Sequence, residues 1–580
     1  MLRPVLPPCR FACLILGLAA LGSLPSAAVE RPNVIVIVAG HFGWGDLGLH
    51  GNPDLATPRL DALAESGLRL ERFHVCPQPS TSLASLLTGR YHYRTGASGD
   101  TRGEGTVHAH ELTVAEHFQA AGYETAYFGG WSHGSNRPHH PAGQGFDRFA
   151  GWFGPWTGEF EEPGGPDGPP ADAIWSATMA FLSEQHGKDS PFFCLVRLPA
   201  GSITAPAVGG SWAGAIHESI TALDARCGQL IDWLEREGLR KNTVIWFLSD
   251  SGPEMPPDGG KVRYNGHLRG ASGSVHEGGV RVPAFVSWPG HIPAGTKFRR
   301  LTAHLDLLPT LLDLCAIDPI ERVWLDGMSL APALTSGGQP GRWPNRLLFT
   351  SWTPPGFAVD QASVAVRTDR WVALRDVPWR RGEPSETHSG WELYDLNADP
   401  HEWTDLSDDY PFLLSDMRAD FSRWMDETTD DGLGPIPVEI GRPDWPLVTL
   451  RATEASPSGD WEAPIDDSGT VTDWRSSGQK LRWPVEIVAP EGLYEVLCPA
   501  ADRGDAAGAR LILRCGDERL DFPLPAAEPD QEDDIPVLVG EIVLGSGQEW
   551  ITLAPAMESS QSIPFRRLSL RRKTEPSEPR

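Results

Sequence analysis

Short apolar runs alternate with amphipathic segments over roughly the first three quarters of the chain. The run Val34–Val38 is apolar at every position, which predicts a central strand of a parallel sheet that is buried on both faces. A capping box at Thr113–Glu116 predicts the start of a helix. Further apolar runs predict strands at residues 124–128, 192–196 and 243–248. The alternation of strands and helices predicts an α/β fold with a mostly parallel sheet between helices.

The pattern changes twice towards the C-terminus. From Arg342, short strands and one helix predict a small α+β subdomain, and after residue 435 closely spaced strands and turns predict an appended β-sandwich. We therefore predict a signal peptide at residues 1–28, the α/β domain at 29–341, the subdomain at 342–435 and a carbohydrate-binding-like sandwich at 436–580.

The N-terminus has the pattern of a secretory signal. Arg3 and Arg10 precede or border an apolar run at 11–21, and small residues at 26–28 resemble a signal-peptidase site. The run is too short to span a bilayer. These features predict a secreted or periplasmic protein without membrane insertion.

The composition narrows the possible partners. The chain has 77 acidic and 49 basic residues, for a formal net charge of −28. Such a charge repels polyanions at long range, so nucleic acid is not an expected partner. Cys498 and Cys515 lie in neighbouring predicted strands, where they form either a disulfide or two independent buried thiols.

Several motifs follow one another in a characteristic order. The segment Val75–Arg90 ends in Leu87-Thr88-Gly89-Arg90, and it is surrounded by the motifs Arg31–Val38, Gly122–Ala126, Glu277–Pro283 and Leu393–Pro400. In this order the chain resembles the sulfatase family of the alkaline-phosphatase superfamily, from about residue 31 to about residue 430. The resemblance implies the sulfatase-like α/β core and the small C-terminal subdomain.

The family's nucleophile is a formylglycine made from Cys or Ser in the pattern Cys/Ser-x-Pro/Ala-x-Arg. Counting back from Arg90 places Pro79 at the nucleophile and Leu83 at the motif arginine. Cys76 stands three residues too early and lacks the required Pro and Arg. The neighbouring hydroxyl residues are interpreted as turn and N-cap residues of the following helix. No formylglycine is expected.

The other family positions are also replaced. The resemblance implies a calcium ion bound by carboxylates and an Asn, and these positions hold Gly40, His41, Asp250 and Ser251, so that Asp250 is the one carboxylate retained. A lone Asp is a poor ligand set for Ca²⁺, and no metal cofactor is expected. The remaining sulfate-facing positions hold Gly130 and Ser132, with His133 displaced by one residue, Ser272, and a segment at 199–206 that lacks the expected His.

The residues retained are those that form the scaffold, among them Gly278 and Gly279, which we interpret as residues that allow tight turns. A scaffold without its catalyst indicates a catalytically degenerate protein that binds a glycan or a partner protein. The alternative is an active sulfuric-ester or phosphoric-ester hydrolase with Ser80 or Thr81 as a non-standard nucleophile. Pocket candidates for either hypothesis are His41, Ser80 and His133.

Tryptophan provides the candidates for glycan stacking. In the emptied pocket these are Trp44, Trp131, and Trp152 or Trp156. In the last domain they are Trp445, Trp461, Trp474 and Trp483, with burial as the competing explanation for each.

Overall fold

The computed structural model describes residues 31–99, 102–153, 170–200, 211–255, 263–321, 323–353, 361–377, 379–380, 383–384, 390–430, 433–458, 461, 463–465, 469–499, 508–525, 536–559 and 561–573. The predicted signal peptide lies outside these residues. The described chain from Pro32 onward belongs to one compact unit. None of its described helices has the length and apolarity required to cross a membrane.

The first ten strands are β1 Asn33–Gly40, β2 Leu68–Leu70, β3 Phe73–His74, β4 Glu124–Trp131, β5 Arg148–Phe153, β6 Phe192–Pro199, β7 Thr243–Ser249, β8 Ala284–Ser287, β9 Thr296–Phe298 and β10 Thr302–Ala303. Eight of them form the large sheet, in the order β5-β4-β6-β1-β7-β8-β2-β9. The five strands from β5 to β7 are parallel, whereas β8 is antiparallel to both of its neighbours. The predicted parallel core is confirmed, in a sheet that is mixed at one end.

The helices are α1 Pro58–Glu65, α2 Pro79–Thr88, α3 Val114–Ala120, α4 Pro170–Gln185, α5 Trp212–Arg236, α6 Glu277–Val280, α7 Leu307–Leu314, α8 Ala331–Thr335 and α9 Pro411–Thr428. Every residue of β1 is buried. Its alternate side chains belong to different apolar clusters, with Val36 in one and Ile35 in the other. This two-sided burial explains why the strand is apolar at every position.

The parallel strands gather the functional candidates at one edge of the large sheet. Gly40 pairs with Pro199 and Ala39 with Ser249, so the carboxyl ends of β6, β1 and β7 are level. Residues that follow these strands therefore meet in the crevice where α/β proteins commonly place their ligands.

A second sheet contacts this core through the buried Glu277. The strands are β11 Leu348–Trp352, β12 Ser363–Arg367, β13 Trp371–Arg375, β14 Trp379–Arg380, β15 Glu383–Pro384 and β16 Glu392–Asp395, and the four in the order β11-β12-β13-β16 form an antiparallel sheet. Arg367 and His74 each lie 3.0 Å from Oε1 of the buried Glu277. Burial opposes its charge, but these partners hold the pKa of Glu277 well below its ordinary value. The motif glutamate therefore joins the sheet to the core.

Gly278 and Gly279 have a different role from the one predicted. They lie inside the short helix α6 and neither has a positive φ. A Cβ on Gly278 would lie 2.5 Å from the carbonyl oxygen of Gly270, and one on Gly279 would lie 2.1 Å from that of Ser274. Close approach of the backbone, rather than a tight turn, requires glycine there.

The last ten strands are β17 Val438–Ile440, β18 Leu447–Arg451, β19 Ser456–Ser458, β20 Lys480–Ile487, β21 Gly492–Pro499, β22 Arg510–Cys515, β23 Glu518–Pro523, β24 Pro536–Leu544, β25 Trp550–Pro555 and β26 Arg567–Arg572. One sheet has the order β17-β20-β25-β22-β23, with β19 also on β20, and the other has the order β18-β26-β21-β24. A shared apolar cluster joins the two sheets, as in a β-sandwich.

The two cysteines of the sandwich do not pair. Cys498 lies in β21 and Cys515 in β22, which belong to different sheets, so strands that are neighbours in sequence are not neighbours in space. Both are free and buried. Burial raises the pKa of Cys498 to about 12 and that of Cys515 to about 11, which leaves both thiols protonated at neutral pH.

The sandwich contacts the α/β core directly. Asn136 donates a hydrogen bond of 2.8 Å from Nδ2 to the Thr449 carbonyl, and the Ser135 amide donates one of 3.1 Å to Oε1 of Glu454. Arg137 pairs with Asp444 at 3.2 Å. The two parts therefore share a polar interface.

Candidate functional site

Asp250 is the centre of the site at the edge of the large sheet. It follows β7 and its side chain is buried. Its Oδ1 accepts a 3.0 Å hydrogen bond from the His41 amide, and its Oδ2 accepts one of 2.9 Å from Nε of Arg197. The side chain of Arg197 is itself only 15% exposed. The retained carboxylate is therefore neutralised by a guanidinium of the same chain.

Arg197 also occupies the space next to Gly130, for which the family resemblance implies a lysine. Its Nη1 donates a 3.2 Å hydrogen bond to the carbonyl of Gly130. A Cβ on Gly130 would lie 2.9 Å from this Nη1 and 2.7 Å from ring carbons of Trp152. A side chain at residue 130 is therefore incompatible with the observed positions of Arg197 and Trp152.

A second buried arginine holds the loop after β1. Nη2 of Arg263 donates to Oδ2 of Asp46 and to the carbonyl of His41, both at 2.5 Å. His41 has a φ of 52°, which is the left-handed region that non-glycine residues rarely adopt. Its Nδ1 lies 2.9 Å from Oγ of Ser251. The loop is therefore fixed by contacts within the protein.

This set of donors does not fit calcium. Ca²⁺ requires six to eight oxygen ligands, with several carboxylates among them. Here Asp250 is paired with Arg197, and its neighbours Ser251 and His41 are bonded to each other. Among the described residues, no group of three or more His, Cys, Asp or Glu is arranged to hold a metal ion.

The family resemblance assigns the nucleophile to the start of α2, and the hydroxyls there are engaged in hydrogen bonds within the protein. Pro79 is the first residue of the helix, and Leu83 is part of the apolar core. Ser80 is buried and donates a 2.7 Å bond to the Gly99 carbonyl, and Thr81 donates one of 3.0 Å to Gln78. Cys76 is buried, with its Sγ 3.4 Å from Nε2 of His304. The N-cap interpretation was wrong, because the helix begins at Pro79 with Gln78 as its cap and Ser80 and Thr81 lie inside it; both hydroxyls donate to backbone carbonyls instead.

The remaining candidate positions, His133, Ser272 and Ser132, differ in how deeply their side chains are buried. His133 is buried with Nδ1 at 2.7 Å from the Gly105 carbonyl. Burial lowers its pKa to about 4, and the charge of Arg197 also lowers it. Ser272 is partly exposed, and its amide donates to the Pro253 carbonyl at 2.9 Å. Ser132 is partly exposed, whereas the segment at 201–210, where a His was expected, lies outside the described residues.

The tryptophans predicted to flank the pocket are mostly core residues. Trp131 and Trp152 are buried, because they belong to β4 and β5 and pack in the apolar clusters. Trp44 stacks on His50 with ring centroids 3.7 Å apart, and the guanidinium of Arg281 lies 4.2 Å from the centroid of the Trp44 ring. Trp156 lies outside the described residues.

Sequence reasoning missed both Arg197 and Arg263. A signal existed for Arg197, which is the one charged residue in the otherwise apolar strand sequence of β6. A charge in a strand buried on both faces needs a partner, and Asp250, which follows β7 two strands away in the sheet, supplies it. The sequence offers no comparable signal for Arg263, since it lies outside the observed strands and helices.

Comparisons with known proteins agree with this architecture. The family model described as Sulfatase matches residues 32–201 and 209–317, and the model described as N-sulphoglucosamine sulphohydrolase, C-terminal, matches residues 273–427. Arylsulfatase A of Homo sapiens is 33% identical over 451 residues, which cover 67% of this chain and 85% of that protein. N-acetylgalactosamine-6-sulfatase of Mus musculus is 30% identical over 367 residues, covering 56% and 70%.

Solved structures show the same fold. The crystal structure of Ps i-CgsB superposes with a TM-score of 0.61 at 26% identity, over 70% of this chain and 94% of that chain. Its complex with k-i-k-neocarrahexaose superposes with a TM-score of 0.61 at 25% identity, over the same shares of the two chains.

Proposed function

This chain belongs to the sulfatase family, and from that premise we propose that it is a catalytically degenerate member that binds a glycan outside the cytoplasm. The observation that carries the proposal is the ion pair between Arg197 and Asp250, at 2.9 Å, at the position of the family's metal site. The proposed location rests on the signal-peptide pattern of residues 1–28.

The chemistry of sulfate-ester hydrolysis explains why this arrangement matters. The reaction needs a nucleophile in line with the leaving oxygen and a cation with open positions for the sulfonyl oxygens. The guanidinium of Arg197 supplies positive charge, but its Nε and Nη1 already donate to Asp250 and Gly130. Pro79 offers no nucleophile at the start of α2. The fold is retained and the reacting groups are replaced.

A glycan is the ligand class that the family relationship supports best. The solved neighbour Ps i-CgsB has been crystallised with the saccharide k-i-k-neocarrahexaose. A protein partner is the second possible ligand, and it would give a different outcome in a binding assay. Neither calcium nor formylglycine forms part of the proposal.

An active hydrolase is the second candidate function, because the relatives named above are sulfatases. In that case Ser80 or Thr81 would serve as the nucleophile, with His41, His133 and Asp250 near it. Against this, both hydroxyls donate to backbone carbonyls, and burial keeps His133 neutral down to about pH 4.

An activity panel distinguishes the two candidates. We expect the purified mature protein to hydrolyse 4-nitrophenyl sulfate and 4-nitrophenyl phosphate no faster than buffer, because the nucleophile and the cation site are both replaced. Enzymes accelerate such reactions by about 10⁶-fold or more, so a working site is easily detected. Mass spectrometry of the peptide that contains Pro79 should show no modified residue.

Three variants serve as controls for this panel: Ser80→Ala, Thr81→Val and Asp250→Ala. Each should leave the background rate unchanged if the proposal is right. Turnover that is lost in Ser80→Ala or Thr81→Val, with the fold intact by circular dichroism, would establish the hydrolase instead.

A further inference from the structure

A basic depression lies on the outer face of the sandwich, at the sheet formed by β19, β20, β25 and β22. Its volume is about 350 Å³. The lining residues that matter below are Ser458, Lys480, Arg482, Arg514, Trp550 and Thr552. All of them lie after residue 435, whereas the family models match no residue beyond 427. The depression is therefore separate from the site described above.

Strand alternation directs these side chains outward. In β20, Leu481 and Trp483 are buried, so Lys480 and Arg482 point to the other face. The ladder then places the residues side by side: Arg482 pairs with Thr552, Thr552 with Arg514, and Lys480 with Ser458. Trp550 lies two residues before Thr552 on the same face of β25 and is partly exposed. The cations, the indole and the hydroxyls form one continuous surface.

The three cations lack acidic partners in the part of the chain that is described. Lys480, Arg482 and Arg514 take part in no ion pair there, whereas Arg510 on the same face pairs with Asp521 at 2.6 Å. Positive charge that is not neutralised is unexpected on a protein whose formal net charge is −28. Its concentration in a concave surface indicates an anion-binding function.

Trp550 adds a second recognition element. The guanidinium of Arg482 lies 4.2 Å from the centroid of its ring. This contact holds the guanidinium over the indole, and the Trp550 side chain remains partly exposed. An aromatic surface next to cations and hydroxyls matches a molecule with an apolar ring face, hydroxyl groups and a negative substituent.

We propose that this face binds an anionic saccharide, with a sugar ring on Trp550 and its sulfate or carboxylate group between Arg482, Arg514 and Lys480. The hydroxyls of Ser458 and Thr552 are placed to hydrogen-bond the sugar. The volume lies at the lower end of the range for small-molecule sites, about 300–1,000 Å³, which suits one or two sugar units. The inference rests on the proposed function only for the choice of a saccharide.

An anionic ligand differs from what the acidic net charge of the protein suggests. An acidic protein repels a polyanion at long range, but charges beyond about 8–10 Å are screened at physiological ionic strength. A local cluster of three cations therefore acts on a short saccharide without much opposition from the rest of the surface. A long nucleic acid would extend over the acidic surroundings, and for that reason the saccharide is favoured.

Calorimetric titration of the full-length mature protein tests the proposal. The probes are sulfated dextran oligosaccharides and unmodified dextran oligosaccharides of equal length. We expect the sulfated probe to bind at least about tenfold more tightly than the neutral one, since charge-assisted hydrogen bonds depend on the sulfate. The double variant Arg482→Gln/Arg514→Gln should weaken binding of the sulfated probe at least about tenfold, and Trp550→Ala should weaken binding of both probes.

The matched control is Arg571→Gln, which removes one exposed arginine from the opposite sheet, where it pairs with Glu495 at 2.6 Å. It should change binding by less than about twofold, because its charge lies outside the site. Equal weakening by Arg571→Gln would mean general charge attraction and would overturn the proposal. Equal affinity for the two probes would also overturn it, as would tighter binding of single-stranded oligothymidylate that depends on the same arginines.

The outcome is independent of the proposed function's own test. If the sulfated probe fails to bind at this face while neutral glycans still bind elsewhere on the protein, the anionic site is contradicted and the glycan-binding role stands. Turnover in the activity panel would contradict the degenerate role while leaving binding at Trp550 intact. Melting temperatures of all variants identify any that fail to fold, and Arg482→Lys, which keeps the charge, serves as a second variant in that case.

Discussion

Replacing Arg197 with methionine is expected to lower the free energy of unfolding by about 3–5 kcal/mol. The reason is that Asp250 is 1% exposed, so removal of its partner leaves a buried carboxylate without a counter-charge. Denaturant unfolding monitored by circular dichroism measures the effect, with the midpoint and the slope recorded together.

A surface ion pair between the edge strand β5 of the same sheet and helix α4 provides the matched control. Arg148 and Glu184 form an ion pair in which both side chains are more than half exposed. Arg148→Met should therefore cost less than about 1 kcal/mol. The double variant Arg197→Met/Asp250→Leu should be more stable than Arg197→Met alone, because it removes the unpaired charge. Equal losses of unfolding free energy in Arg197→Met and Arg148→Met would show that the pair between Arg197 and Asp250 contributes no more than a surface pair.

Acid is expected to destabilise the protein strongly between about pH 6.5 and pH 4. Burial lowers the pKa of three histidines to about 4 and that of a fourth to about 3; these are His50, His92, His133 and His304. In the unfolded chain their pKa is about 6.5, so the unfolded state binds more protons in this interval. The contribution of these histidines to the free energy of unfolding is complete above pH 6.5, and it is lost as pH falls towards and through the folded-state pKa.

The size of the acid effect follows from the same values. A histidine pKa lowered from 6.5 to about 4 corresponds to roughly 3 kcal/mol on full acidification. Four such groups together approach the whole stability of a typical domain, about 5–15 kcal/mol. Burial raises the pKa of Glu111 and Asp326, which acts in the opposite direction. We therefore expect acid unfolding to occur within this interval.

The measurement is the unfolding free energy as a function of pH. His133→Asn should reduce the slope between pH 4 and 6.5 by about 1.4 kcal/mol per pH unit, because one proton fewer is taken up on unfolding. His110→Asn is the control, since the side chain of His110 is 74% exposed. An unchanged slope for His133→Asn would mean that His133 titrates normally in the folded protein.

The sequence predicted the large sheet well because a strand buried on both faces must be apolar throughout. The strands at Val34–Val38 and 243–248 both lie in the observed sheet, which extends the first by three residues and the second by one. The assignment of Pro79 and Leu83 to the family's nucleophile and arginine positions rests on spacing to a nearby motif, and it stays a prediction. Local information was sufficient for the two strands.

The partner of Asp250 was not predicted because it depends on the order of strands in space. Arg197 and Asp250 are 53 residues apart, and they meet because β6 and β7 both pair with β1. Spacing to a motif cannot reveal such a contact. The charged residue within an apolar strand is the one clue that the sequence held.

For two of the four candidate stacking tryptophans of the sandwich, burial is the explanation that holds, and the strand pattern contained the answer for one of them. Trp474 and Trp483 are fully buried, and Trp445 and Trp461 pack against the same core. In β20 the apolar residues alternate, which places Trp483 inside and Arg482 outside. The same alternation in β25 places Trp550 on the outer face. Period-two alternation, rather than residue type alone, distinguishes the two roles.

Calcium titration of the wild-type protein by calorimetry tests most directly whether Arg197 has replaced the family's cation. We expect no binding heat and an unchanged melting temperature, because the one retained carboxylate is already paired. Stoichiometric calcium binding that raises the melting temperature and disappears in Asp250→Ala would contradict this, and it would show that the metal site still works.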